Sequence, residues 1–222
     1  MNNKTIIITG VSDGLGLATA KKLLEKEYEV IGLSRSKPND DRIDYIPLDL
    51  TNEKSIVEAA KQINRIGKRF CFINCAGVMA DEDKIEMGEI ERVFQTNTTG
   101  PILLEQLIFE TVKKTGSDII NIISTSATRG DVDQPIYSSS KWGLLGYTKS
   151  LTARLKSTPA RAISFIPGGF ISDMPKKIGR TIADPENWTP VEIIADELIK
   201  VVETSSRIEI SEIIINRKSD EN

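Results

Sequence analysis

The chain has 222 residues, of which 39% are apolar and 27% charged, with both signs mixed throughout and a net charge of −3. That length suits one α/β domain spanning residues 1–222, and the composition excludes a disordered chain. The charge balance and the lack of any basic stripe argue against a nucleic-acid partner, and the absence of histidine removes serine-histidine and cysteine-histidine nucleophiles. Acid–base chemistry falls to Tyr, Lys, Asp or Glu. The opening Met1-Asn2-Asn3-Lys4 runs straight into an apolar stretch too short for a signal sequence or a membrane span, so a cytoplasmic protein without membrane contact is expected.

In chain order, short β-branched runs at 5–9, 30–34, 45–48, 70–74, 119–124, 162–166 and 208–215 predict strands. Most are apolar on both faces, as buried parallel strands are. Between them lie stretches at helical spacing: Leu17, Ala20 and Leu24; Ile56, Ala59, Ala60 and Ile63; and Ile194, Ala195, Leu198, Val201 and Val202. The alternation predicts right-handed crossovers and a doubly wound, Rossmann-like parallel sheet of about seven strands with helices on both faces.

Cys71 and Cys75 fall on one side of the fourth predicted strand and read as inert core thiols; no soft ligand accompanies them, and no metal site is predicted. The acidic stretch 79–88 predicts a solvated loop. Residues 168–189, with Pro175 and Pro185, follow a strand at the ligand-binding edge and predict a substrate lid, the alternative being a plain connection. Residues 219–222 are expected to fray.

Two segments carry chemistry. The first is Thr9-Gly10-Val11-Ser12-Asp13-Gly14-Leu15-Gly16, at the turn from the first strand into the first helix. Gly10 permits a tight turn, while Gly14 and Gly16 let backbone N–H groups and the helix N-terminus approach a pyrophosphate. About eighteen residues beyond Gly16 the second strand ends in Ser34-Arg35. An acid there accepts from the ribose 2′-hydroxyl of NAD, whereas an arginine pairs with the 2′-phosphate of NADP. NADP(H) is therefore favoured and NAD(H) stays open, because the carboxylate of Asp13 inside the cradle repels phosphate.

The second is Tyr137-Ser138-Ser139-Ser140-Lys141. Tyr137 and Lys141, four apart at the head of an apolar-periodic segment, share one helical face. A lysine cation, together with the positive nicotinamide of an oxidised cofactor, stabilises a phenolate and lowers its pKa from near 10, so that Tyr137 serves as general acid or base. Ser124, thirteen residues earlier at a strand end, is a second donor for a carbonyl oxygen; its neighbours Thr125 and Ser126 carry the same chemistry.

In order along the whole chain stand Thr9-Gly10-x-x-x-Gly14-x-Gly16, Asp49-Leu50, Asn74-Cys75-Ala76-Gly77, Asn97, Ser124, Tyr137-x-x-x-Lys141 and Pro167-Gly168. This set resembles the single-domain short-chain dehydrogenase/reductase family. The resemblance implies that Asp49 meets the adenine and that Asn74, Ala76 and Gly77 line the cofactor and brace the central strand. It further implies that Pro167 and Gly168 border the nicotinamide, with Ser172 on the carboxamide. Lys141 would hold the nicotinamide ribose, and Asn97 would kink its helix and hold a water that relays protons to Lys141. Two positions depart from the pattern: Cys75 replaces a second asparagine, and Ile213-Ile214-Ile215-Asn216-Arg217 lacks an acidic-glycine-glycine ending.

The reading is an NADP-dependent oxidoreductase interconverting a small carbonyl compound and an alcohol by direct hydride transfer. The alternatives are a catalytically silent NADP-binding sensor or scaffold, and a nucleotide-sugar epimerase or dehydratase. Substrate identity is not legible. Its selection is expected from Phe170, Met174, Ile178 and Trp188 in the lid and from Val78, Met79 and residues 131–135, with Lys176, Lys177 and Arg180 as candidate attractors of an acidic group. Segments 102–112 and 142–155 carry more apolar surface than one helix face buries, so a homodimer or homotetramer is expected, by the helix pairing common in the family.

Overall fold

The computed structural model describes residues 4–83, 85–182 and 187–218. Seven parallel strands form one sheet: β1 (Thr5–Thr9), β2 (Glu29–Ser34), β3 (Asp44–Pro47), β4 (Phe70–Asn74), β5 (Asp118–Ile122), β6 (Arg161–Pro167) and β7 (Glu212–Ile215), in the order 3-2-1-4-5-6-7. Every residue of β1, β4, β5 and β6 is buried, which is why these runs are apolar on both faces.

Helices cover the sheet on both sides. On one lie α1 (Gly14–Glu25) and α7 (Val191–Glu203), whose Leu23, Leu198 and Val202 pack with Ile6, Ile8 and Phe165. On the other lie α2 (Glu53–Asn64), α4 (Gly100–Thr115) and α6 (Pro135–Leu155), whose Ile63, Leu104 and Leu151 pack with Ile7, Phe72 and Ile119. Each such buried side chain stabilises the fold by roughly 1.5–3 kcal/mol. Two local signals set helix ends: Asn52 accepts from the Ser55 N–H at the start of α2, and Gly116, at φ 66°, ends α4 in the left-handed conformation.

Between β4 and α4, α3 (Met87–Phe94) runs into a single π-helical turn, Gln95–Thr99, before α4 begins. A short α5 (Ser126–Arg129) follows β5. Because β1 sits between β2 and β4, the chain reverses direction of travel across the sheet beside β1, and the carboxyl ends of β1 and β4 open a crevice there.

Some boundaries differ from expectation. Only Glu212–Ile215 of the run 208–215 is a strand; β7 is an edge strand, and the Ile208 N–H closes a turn onto Ser205 instead. The buried stripe of α1 is Leu15, Thr19, Ala20 and Leu23, with Leu17 and Leu24 only partly covered at its margins. The acidic stretch 79–88 is exposed at Asp83 and from Ile85 to Gly88, but it is not a loop throughout. Ala80 is fully buried, Glu82 accepts from the Ile136 N–H at the head of α6 (3.1 Å), and Met87 and Gly88 already belong to α3. Pro185 and residues 219–222 lie outside the described residues.

Candidate active site

A cavity of about 750 Å3 follows the crevice at the carboxyl ends of β1, β2, β4, β5 and β6. Ser12, Asp13, Gly14, Arg35 and Asp49 line it, and so do Ser124, Tyr137 and Lys141. Its size sits in the upper part of the roughly 300–1,000 Å3 range of ligand pockets.

The cradle holds together by backbone proximity. A Cβ on Gly10 would stand 2.8 Å from the Ala76 Cα, and one on Gly16 would stand 2.3 Å from the Gly10 carbonyl oxygen, so neither position admits a side chain. Gly14 differs: at φ +56° it has nothing within 4 Å of a Cβ, and its backbone faces open space beside the first turn of α1. Thr9 anchors this wall; its Oγ1 accepts from the Cys75 and Ala76 N–H groups, each at 3.0 Å, and donates to Asn74 Oδ1 at 3.2 Å. The narrow turn and free helix N-terminus fit the phosphates of a dinucleotide.

At the far end of β2, Arg35 is exposed on the cavity wall, with no hydrogen bond or ion pair to any described residue. Beside it, the buried Ser34 hydroxyl donates to the Ser36 carbonyl at 2.7 Å. The Asp49 carboxylate accepts from the Thr51 N–H and hydroxyl, which fixes its direction, and Leu50 completes this end.

At the other end, Tyr137 and Lys141 project from the first turns of α6, as their spacing requires. Lys141 is 3% exposed and donates to the Ile122 carbonyl at 2.8 Å. Burial lowers its pKa to about 8. Ser124 stands beside the phenol of Tyr137 and acts to lower its pKa. Burial nevertheless pushes it up to about 12, with the carboxylate of Asp131 adding to the rise. Lys141 is directed at Ile122, its ammonium 5.9 Å from the ring centroid of Tyr137.

Of the three adjacent hydroxyls, all on the cavity wall, Ser124 is the one that acts on the Tyr137 phenol. Thr125 is buried, and the Ser126 hydroxyl donates to Asp131 at 3.0 Å. Pro167, Gly168 and Ser172 lie on the same wall, with the Gly168 N–H donating to Ile215 at 2.7 Å.

Two expected site residues do not reach the cavity. Asn74 is buried behind it, its amide joining Thr9 to Asn121 across β1, β4 and β5, so it braces the strands and does not line the cavity. Asn97, fully buried in the π-helical turn, gives Nδ2 to the Val78 carbonyl (2.8 Å) and to Ser140 (3.0 Å), and accepts from the Val78 N–H (2.8 Å). Its amide is committed to the loop beside Lys141.

Both cysteines lie on one sheet face; Cys71 is fully buried, Cys75 half-buried on the cavity wall, and burial pushes both thiols up to about 12, far from a reactive thiolate.

In the predicted lid, Phe170 bridges to Thr189, and Trp188 packs over Gly169. Phe170, Met174, Trp188, Val78, Met79 and Asp131 line the cavity, whereas Ile178 and residues 132–135 do not. Lys176 pairs with Asp173, Lys177 with Asp13, and Arg180 donates to the Asp133 carbonyl, so the three lid cations are engaged. The cavity also has three cations that sequence reasoning missed: Arg92, held by Glu89; Arg129, at the end of α5; and Arg217, over the Trp188 ring at 5.0 Å. Only the departure of the C-terminal motif drew attention to the last.

A sequence profile described as short chain dehydrogenase matches residues 4–183. The chain belongs to the short-chain dehydrogenase family. Among its relatives, an uncharacterized oxidoreductase of Staphylococcus haemolyticus is 30% identical, with 97% of each chain covered. The structure superposes on an alcohol dehydrogenase from Thermococcus sibiricus complexed with 5-hydroxy-NADP (TM-score 0.83, 18% identity, 99% of this chain and 98% of that one). It also superposes on a Brucella ovis member of this family in complex with a partially ordered NAD (TM-score 0.77, 25% identity, 96% and 99%). The chain is thus an oxidoreductase of this family.

Proposed function

We propose that this short-chain dehydrogenase reduces a small ketone or aldehyde with NADPH, and oxidises the corresponding alcohol in reverse. The observation that carries the reading is the single cavity joining the glycine cradle and Arg35 at one end to Ser124, Tyr137 and Lys141 at the other.

Gly10, Gly14 and Gly16 hold the phosphates, with Ser12 and Leu15 in the same turn. Asp49 and Leu50 hold the adenine end, and the unpaired guanidinium of Arg35 beside Ser34 favours a 2′-phosphate, hence NADP(H) over NAD(H). Ala76, Gly77, Pro167, Gly168 and Ser172 bound the nicotinamide end, with Lys141 on its ribose. A bound reduced nicotinamide supplies the hydride.

Tyr137, with a pKa near 12, is protonated across the neutral range and gives its proton to the carbonyl oxygen as charge develops there. Ser124 donates a second hydrogen bond to that oxygen. Lys141, cationic below pH about 8, stabilises the phenolate left behind. Asn97 positions the loop at Val78 against which these groups work.

Exposed Leu107 on α4 and Trp142 on α6 support self-association through those helices; sedimentation as a monomer at micromolar concentration would contradict it.

Equilibrium titration with NADPH and NADH, following nicotinamide fluorescence, tests the cofactor assignment. NADPH is expected to bind more tightly, and Arg35→Ala to weaken NADPH selectively. Binding of neither nucleotide would overturn the reading.

A further inference from the structure

Asp13 precedes α1 at the position where an aspartate ordinarily caps its own helix by accepting from the second or third backbone N–H. Here it makes no such bond. Its Oδ2 accepts instead from Lys177 Nζ at 2.6 Å, a contact between residues 164 apart in sequence. Lys177 lies in a single 3-10 turn, Lys176–Ile178, inside the segment predicted as the lid. Of the three lid cations only Lys177 reaches the cavity wall; Lys176 is held outside by Asp173, and Arg180 by the Asp133 carbonyl.

This contact resolves the conflict posed by a carboxylate inside a phosphate cradle. Alone, Asp13 at the N-terminus of α1 would satisfy the positive end of the helix and repel an incoming phosphate. With Lys177 on it, the carboxylate charge is cancelled and an ammonium stands at the rim of the same turn. Both side chains are about half exposed, 57% for Lys177 and 47% for Asp13, so the pair forms and opens readily and does not clamp the lid by itself.

We infer that Lys177 is a cofactor-retaining residue: it bridges the lid turn to Asp13 and cancels the repulsion of that carboxylate at the phosphate site, so that the dinucleotide is released more slowly while this contact is made. The inference rests on the cofactor-binding reading above. It makes the lid a part of the cofactor site as well as of the substrate pocket.

The test is the dissociation rate of NADPH, followed by stopped-flow fluorescence, for the parent, Lys177→Ala, Asp13→Asn and the double variant, with melting temperatures recorded alongside. Lys177→Ala is expected to raise the dissociation constant about tenfold, mainly through faster release, and Lys177→Arg to restore most of the retention. In the Asp13→Asn background the cost of Lys177→Ala is expected to shrink to about threefold or less, because the uncompensated carboxylate is gone. The effect should also fall between low and high salt, as a half-exposed charge requires. Parental release rates in Lys177→Ala, or a cost of that substitution unchanged by Asp13→Asn, would overturn the inference while leaving cofactor binding intact. A parent that binds neither NADPH nor NADH would overturn both.

Discussion

Lys141 stands one turn beyond Tyr137 on α6, yet its ammonium lies 5.9 Å from the ring centroid and donates to the Ile122 carbonyl at 2.8 Å. Burial acts on the two groups in opposite directions, raising the phenol to about 12 and lowering the ammonium to about 8. At neutral pH this leaves a protonated phenol beside a cation, the state a proton donor needs.

The first prediction concerns pH. Because the pKa of Lys141 is lowered, its cation is present below pH about 8 and lost above it. The kcat/KM for NADPH, which reports the free enzyme, should therefore fall as pH rises through about 8. Lys141→Met should remove that limb together with most of the activity. A parental profile flat to pH 10 would show that the charge of Lys141 is not needed.

Glu105 gives a second pH effect, on stability. Its side chain, on α4, is fully buried; Oε2 accepts from Asn121 at 3.3 Å and Oε1 has no partner among the described residues. Burial raises its pKa to about 8, with the Asn121 bond opposing. A raised carboxyl pKa means that the folded state holds its proton longer than the unfolded one, so stability falls as pH rises from about 4 to about 8 and levels off above. Each tenfold difference in proton affinity is worth about 1.4 kcal/mol, so Glu105→Gln, isosteric with the neutral acid, should raise the melting temperature at pH 8 by several degrees and flatten its pH dependence. Superimposable melting curves for parent and variant at pH 5 and pH 8 would contradict this.

Asn97 tests the π-helical turn. Asn97→Ala removes three hydrogen bonds, the one to Ser140 buried and the two to Val78 part-buried, and strands both backbone groups of Val78. An expected loss of about 2–4 kcal/mol follows, read as a lower midpoint in urea, with kcat reduced because the loop beside Lys141 loosens. Asn97→Asp keeps the acceptor for the Val78 N–H and should fall between. Equal midpoints for parent and Asn97→Ala would contradict this role.

Much of the fold was legible because the strands that form the central sheet are buried on both faces, and that burial imposes long-lived patterns such as the all-apolar Ile6, Ile7 and Ile8. The cradle and the Tyr137–Lys141 pair were legible because each is local: a strand-to-helix turn and one helical turn. What escaped depends on tertiary contact. Nothing near Glu105 in sequence announces that a carboxylate on α4 faces Asn121, and nothing near Asp13 announces Lys177. Asn74 looked like a cofactor contact because it sits in a motif with Ala76 and Gly77, but strand alternation turns its side chain into the sheet, toward Thr9 and Asn121. The burial that raises the Tyr137 pKa was not legible either, because charge spacing is visible in sequence and desolvation is not.

The central claim, that Tyr137 is the proton donor, is tested most directly by Tyr137→Phe, measured for turnover with a carbonyl substrate and for NADPH binding in the same preparation. The account predicts a turnover loss of about 10²–10⁴-fold, with the dissociation constant for NADPH and the melting temperature close to the parent's. Turnover near the parental rate would contradict it.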